Sequence, residues 1–301
     1  MGWSASQPLT TVDVLGAAGA VVRLRRHGNP GAATRLLLSH GNGFAIAGYV
    51  EFWRHFLRDF DVVAFDMRNH GQNPLAEPPG HDYPHMMADI AAVTHAARAE
   101  FGAKPTVGVF HSMSAQSALL QAMQGGAADD ENFVRLILFD PPNVPPADSP
   151  ARQAMLGYLR MLAVWAGARR DSYADPGELA AEYAASRTGQ AWTPTIPSTM
   201  AEAVLKSAEG NWRLSCPPAL EASMYRQGMT LPLWPQCTDV PVPVTLVGAD
   251  PERQFAAATG LSNRQLAADG GFDYRTIPGT SHLMQLEQPE ACAELVLDLL
   301  R

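Results

Sequence analysis

The chain has 301 residues, of which 47% are hydrophobic and 17% charged, a composition that can build a packed core and excludes a disordered protein. Its formal net charge of −8 argues against nucleic acid or an anionic membrane surface as a partner. The three cysteines, Cys216, Cys237 and Cys292, show no CxxC spacing, which speaks against a zinc site or disulfide framework and for a reducing, cytoplasmic setting. A single Cys216–Cys237 bridge stays open on sequence alone.

The first residues lack the basic and apolar regions of a signal peptide, and MGWSAS matches a myristoylation pattern too short to carry weight. The longest apolar stretch, MLGYLRMLAVWAGA, is interrupted by Arg160 and too short to span a bilayer. In chain order, TTVDVL and VVRLRR flank a Gly/Ala turn and predict an antiparallel hairpin. RLLLSH and DVVAFDM read as strands buried on both faces, separated by a helical stretch around YVEFWRHFLRDF. A helix over about Met86 to Phe101 precedes the strand PTVGVF, a helix from Ser112 to about Met123, and the strand FVRLILFD.

Residues 141–240 break this rhythm. They are rich in Ala, Pro, Trp and Met, with helical periodicity in RQAMLGYLRMLAVWAGARR and GELAAEYAASR and loops at PPNVPP and CPPAL. The alternation then returns with PVTLVGAD, a helix near Phe255 to Ala268, FDYRTIP, and a last helix from about Pro289 to Leu300. The pattern predicts an α/β fold: a mostly parallel eight-stranded sheet flanked by helices, with residues 1–140 and 241–301 as core and 141–240 as a helical cap. Trp165, Trp192, Trp212 and Trp234 all fall in that insertion and are expected in its core, with one or another lining a pocket.

Ligands of a parallel sheet bind beyond the carboxyl ends of its strands. Four such loops carry polar residues: HGNGF after RLLLS, Ser112 after PTVGVF, GAD after PVTLV, and GTSH after FDYRTIP. Serine, acid and histidine thus run in the order Ser112, Asp250, His282, the order of an α/β-hydrolase triad. Blander readings exist for each. Ser112 would serve as a helix N-cap, Asp250 as a cap ahead of Pro251, and His282 as a surface-loop histidine. Asp140, at the end of LILFD, is the rival acid, and Ser114 the rival nucleophile. His81, His85 and His95 do not form a metal-ligating face with a carboxylate, so solvent exposure is expected and no metal.

SHGNGF, FDMRNHGQN, FHSMSA, LVGADPE and IPGTSHLMQLEQPE together make the chain resemble the capped α/β-hydrolase superfamily, esterase and lipase branch, over nearly its whole length. The resemblance implies a cofactor-independent serine hydrolase acting on a small-molecule ester or thioester. It places oxyanion donors on the backbone of Asn42 and Met113, and substrate contacts at Gly41, Gly43, Phe44, Trp165 and Leu283. His70 and Arg68 are expected to brace the loop after DVVAFDM through hydrogen bonds, and His111 beside the serine to be buried support. Acyl transfer, C–C hydrolysis, lyase chemistry and a non-catalytic ligand-binding protein share the fold, and a homodimer is left open. The chain departs from the Gly-x-Ser-x-Gly elbow, with Phe110 and Ser114 at the two glycine positions. A closed, largely apolar pocket for small-to-medium acyl groups is expected under the insertion.

Overall fold

The computed structural model describes residues 7–76, 80–124, 133–208, 210–253 and 257–301; the MGWSAS pattern and Phe255 lie outside them. The first strands are β1 (Thr10–Leu15) and β2 (Val21–Gly28), paired as the expected antiparallel hairpin. Next come β3 (Arg35–Leu38), the short helix α1 (Val50–Trp53), β4 (Asp61–Phe65), α2 (Tyr83–Phe101), β5 (Thr106–His111), α3 (Met113–Gln124) and β6 (Arg135–Phe139). Asp82 begins α2 by accepting the N–H of His85 at 3.0 Å, with a proline in the first turn, and Gly102 ends it at a φ of +83°.

Between β6 and β10 lie α4 (Ala151–Gly167), β7 (Ser172–Tyr173), α5 (Pro176–Ala185), α6 (Ile196–Val204), β8 (Leu205–Ala208), β9 (Asn211–Leu214) and α7 (Pro218–Gly228). The chain closes with β10 (Val244–Gly248), α8 (Ala257–Gly270), β11 (Asp273–Thr276), α9 (Met284–Glu287) and α10 (Pro289–Leu299). The main sheet has eight strands in the order β1-β2-β4-β3-β5-β6-β10-β11, parallel from β4 through to β11. All eight coincide with the strands legible in the sequence.

Strands β3, β4 and β5 are buried along their length, as continuous apolar runs require. Alternate side chains serve two cores. Val107, Val109 and Ile137 pack on one face with Phe52, Phe56 and Val296; Phe110, Leu136 and Leu138 pack on the other with Met86, Ile90 and Leu119. The insertion carries a three-stranded antiparallel sheet, β7-β9-β8, that its sequence did not announce, and a helix, α7, where CPPAL read as loop. Prolines at the start of α7 occupy positions whose N–H would have no helical partner, so they open the helix instead of breaking it.

One smaller expectation is revised and one open alternative is closed. His81 is not solvent-exposed: it is buried, bonded to Asn69 at 3.0 Å and stacked on His70. Cys216, Cys237 and Cys292 are all unpaired, so no Cys216–Cys237 bridge forms. Among the described residues no helix is long and apolar enough to cross a membrane.

Candidate active site

β5 ends at His111 and α3 begins at Met113, leaving Ser112 to make the whole turn. Its φ is +54°, a left-handed conformation that costs a non-glycine residue on the order of 1–3 kcal/mol and here lifts the side chain clear of the strand. The turn is tied down by the Ser112 N–H, which donates to the Phe139 carbonyl of β6 at 2.8 Å. Ser114 stitches it from within: its Oγ accepts the His111 N–H at 3.1 Å and donates to the His111 carbonyl at 2.9 Å. A small polar residue therefore does at position 114 what a glycine would do by being absent.

Phe110 is accommodated by a shift of the small residue along the strand. Gly108 stands two positions earlier, on the same sheet face, and a Cβ there would meet the Phe110 ring at 2.5 Å. The ring occupies that space, edge-on to Phe65 and Phe133 with centroids 6.3 and 5.6 Å away.

His282, after β11, presents Nε2 to the Ser112 Oγ at 2.9 Å and Nδ1 to Asp140 Oδ2 at 2.6 Å. A carboxylate only accepts, so Nδ1 carries the proton and Nε2 is left as acceptor for the serine hydroxyl. Asp140 is fully buried at the end of β6. Its other oxygen, Oδ1, accepts the Ala249 N–H at 3.1 Å and the Asn263 side-chain amide at 3.0 Å, which fixes the carboxylate plane. Asp250, the acid expected from the triad order, is not at His282. Both its oxygens are taken by backbone N–H groups, Gly279 at 2.7 Å and Glu252 at 2.9 Å, and these bonds hold its carboxyl below the usual range. Asp250 braces the histidine loop from outside; Asp140 touches the histidine.

The glycine loop after β3 reaches the serine closely. A Cβ at Gly41 would lie 2.9 Å from His111 Nδ1 and 3.2 Å from the Ser112 Cβ, so only glycine lets the backbone pass here. His111 Nε2 donates to the His282 carbonyl at 2.8 Å, and its Nδ1 accepts the Tyr49 hydroxyl at 2.8 Å. Burial holds the His111 ring well below the ordinary histidine range, consistent with this neutral tautomer. His70 is arranged likewise: Nδ1 donates to the Arg68 carbonyl at 2.8 Å and Nε2 accepts the Gly43 N–H at 3.2 Å. Arg68 itself forks onto Asp89 with two bonds of 2.6 Å. His70 thus braces the glycine loop directly, a contact the sequence did not reveal.

A cavity of about 880 Å³ opens onto Ser112 and His282 beneath the insertion. Gly41, Asn42, Phe44, Trp165 and Leu283 line it; Gly43, in the glycine loop, and Met113, at the start of α3, are not among its lining. Trp165 is half exposed and lies over the Arg169 guanidinium, 5.0 Å from ring centroid to Cζ. Trp192 is buried between Phe44 and Tyr183. The surface of the lining is mainly apolar, and it also includes four arginines, three glutamates and four tyrosines. Their sequence signal was weak, because charged residues on amphipathic helices usually face water.

A profile of the alpha/beta hydrolase family matches residues 36–295. The chain belongs to that family. No curated protein sequence matches it. Among solved structures it is similar to E-2-(acetamidomethylene)succinate hydrolase, with a TM-score of 0.75 at 20% identity over 97% of this chain and 98% of that one. It is also similar to the thioesterase domain from the curacin biosynthetic pathway, TM-score 0.69 at 19% identity over 96% and 99% of the two chains. A thermophilic esterase from Thermogutta terrifontis gives a TM-score of 0.65 at 21% identity over 97% and 98%. At these identities the likeness is one of fold.

Proposed function

We propose that the protein is a serine hydrolase that cleaves a carboxylic ester or thioester of a small molecule through an acyl-enzyme. The observation that carries this reading is the unbroken line of contacts from Ser112 Oγ through the His282 ring to the buried Asp140 carboxylate. Ser112 Oγ attacks the acyl carbon while His282 Nε2 takes its proton. Asp140 holds the ring's tautomer and stabilises the imidazolium. The Met113 and Asn42 backbone N–H groups receive the charge developing on the carbonyl oxygen. His282 then protonates the departing alkoxide or thiolate, leaving Ser112 acylated. Water, deprotonated by the same Nε2, attacks the acyl carbon; the acid departs and the serine regains its proton.

Residues 141–240 act in this reading as a cap over the cavity. The unpaired cysteines suit a reducing, cytoplasmic compartment. The known structures with this fold include a hydrolase, a thioesterase and an esterase by name, which makes acyl chemistry the natural first assay. An organophosphonate should label the peptide bearing Ser112, and Ser112→Ala should abolish hydrolysis of short nitrophenyl esters and thioesters. Labelling elsewhere, or undiminished turnover by the alanine variant, would reject the assignment.

A further inference from the structure

The cap and the glycine loop meet at one buried charge pair. Arg169, just beyond the end of α4, donates from Nη1 to Glu221 Oε2 at 2.5 Å and from Nη2 to the Tyr183 hydroxyl at 3.2 Å. Both side chains are almost wholly buried, at 8% and 1% exposure, and both line the cavity. Burial works against the Arg169 charge, but the Tyr183 and Glu221 oxygens raise its pKa overall, so it stays protonated.

Glu221, on α7, touches the loop in two ways. Its backbone carbonyl accepts the Asn42 side-chain amide at 2.8 Å. Its carboxylate fills the space beside Gly43, where a Cβ would collide with the Glu221 carboxyl atoms. Gly43 has a φ of +74° and is held from the opposite side by His70. The loop segment that includes Asn42 and Gly43 is therefore gripped between His70 of the core and Glu221 of the insertion, and Arg169 fixes where the Glu221 carboxylate sits.

We propose that Arg169 and Glu221 are positioning residues that hold the Asn42–Gly43 loop in register with Ser112, so that the seating of the cap sets the oxyanion geometry. An ion pair this deep gains little net stability over an apolar pair of the same size. What it adds is a directional contact: a planar guanidinium holds a carboxylate in one orientation. Packing alone would let the carboxylate turn. The kinetic part of this inference rests on the hydrolase reading above; the structural part does not.

The test compares wild type with Glu221→Gln and with the double variant Arg169→Met/Glu221→Met, in which no charge is left buried without a partner. Amide hydrogen exchange across residues 41–44 should accelerate about tenfold or more in the double variant, while exchange in β5 and α3 stays unchanged. With a short ester, kcat should fall at least about tenfold, a fraction of the ~100- to 1000-fold expected for losing an oxyanion donor outright, with KM within about threefold. Affinity for a boronic acid transition-state analogue should fall in step with kcat, and affinity for a ground-state amide analogue should not. If Glu221→Gln fails to fold, the double variant decides. Unchanged loop exchange in a folded double variant would overturn the inference, whether or not the wild type turns over esters. So would wild-type kcat. Absence of Ser112-dependent turnover in the wild type would sink the hydrolase reading, and the exchange measurement would still decide the loop.

Discussion

Asp140 and Asp250 end neighbouring parallel strands, β6 and β10, and both lie near the histidine loop, yet only one has an oxygen on the His282 ring. Asp140→Asn should lower kcat by about 10⁴-fold, because the amide can no longer impose the tautomer with a proton on Nδ1. Asp250→Asn should change kcat by less than about tenfold, since Asp250 only receives two backbone N–H groups away from the His282 ring and the amide oxygen keeps one of them. Steady-state kinetics of the two variants separate the assignments. Ser112 and His282 stood out through their order along the chain, each after a strand of the sheet, where the local patterns alone did not decide. The acid did not, because LILFD and LVGAD each finish a buried strand with an aspartate. What distinguishes them is the Asn263 amide and the Ala249 N–H that meet Asp140 from distant parts of the chain, which no local pattern encodes.

At the scale of the element, β5 shows how a strand tolerates a broken consensus. The bulk of Phe110 is offset by Gly108 on the same face, so the two positions should behave as a unit. Gly108→Val should destabilise the protein by about 1–3 kcal/mol through overpacking against the Phe110 ring and Leu136. Pairing it with Phe110→Ala should recover part of that loss. Urea unfolding of the single and double variants measures the coupling, and strict additivity would mean the ring does not use the glycine's space. This compensation was present in PTVGVF but became visible only once the strand period set Gly108 beside the ring. Strands β3, β4, β5, β6 and β10 were legible as buried apolar runs, the β1–β2 pair from the Gly/Ala turn between its strands, and the largely exposed β11 from the returning strand–helix rhythm. Strands β7, β8 and β9 were not: they are short and include exposed polar residues such as Asn211 and Arg213, so neither period nor composition marks them.

For the molecule as a whole, buried neutral histidines make acid the weak side of its stability. Burial is the main cause that takes His27 and His81 down to about 4 from the ordinary 6.5. In the unfolded chain both protonate near pH 6.5, so between there and pH 4 the unfolded state binds more protons and is favoured as pH falls. Each site contributes up to about 3 kcal/mol that is fully present above pH 6.5 and lost by about pH 4. Unfolding free energies measured at pH 7.5, 6 and 5 should decline in that order; a flat profile would mean these rings titrate normally when folded. The cavity sets a second whole-molecule expectation. With about 880 Å³ under the insertion, kcat/KM across a series of acyl chains should rise by a factor of about four per methylene, then collapse when the space is full. A steady rise into long-chain emulsions would mean the insertion is not a roof.

The positions of Ser112, Asp140 and His282 along the chain have a consequence for synthesis. The proposed nucleophile and its acid directly follow strands β5 and β6, whereas the proposed base follows β11, which comes last in the chain order of the sheet. A chain emerges from its N-terminus, and the early strands can begin to pair while the rest is still being made. Throughout that interval Ser112 lacks the His282 ring that meets its hydroxyl in the folded structure. His282 is seated only when the segment after β11 has arrived, with Ser281 bonded to Glu287 and α10 packed against the face that carries Phe52 and Phe56. Under the proposed hydrolase reading, competence therefore comes late in synthesis, and a product interrupted before His282 should be silent toward esters.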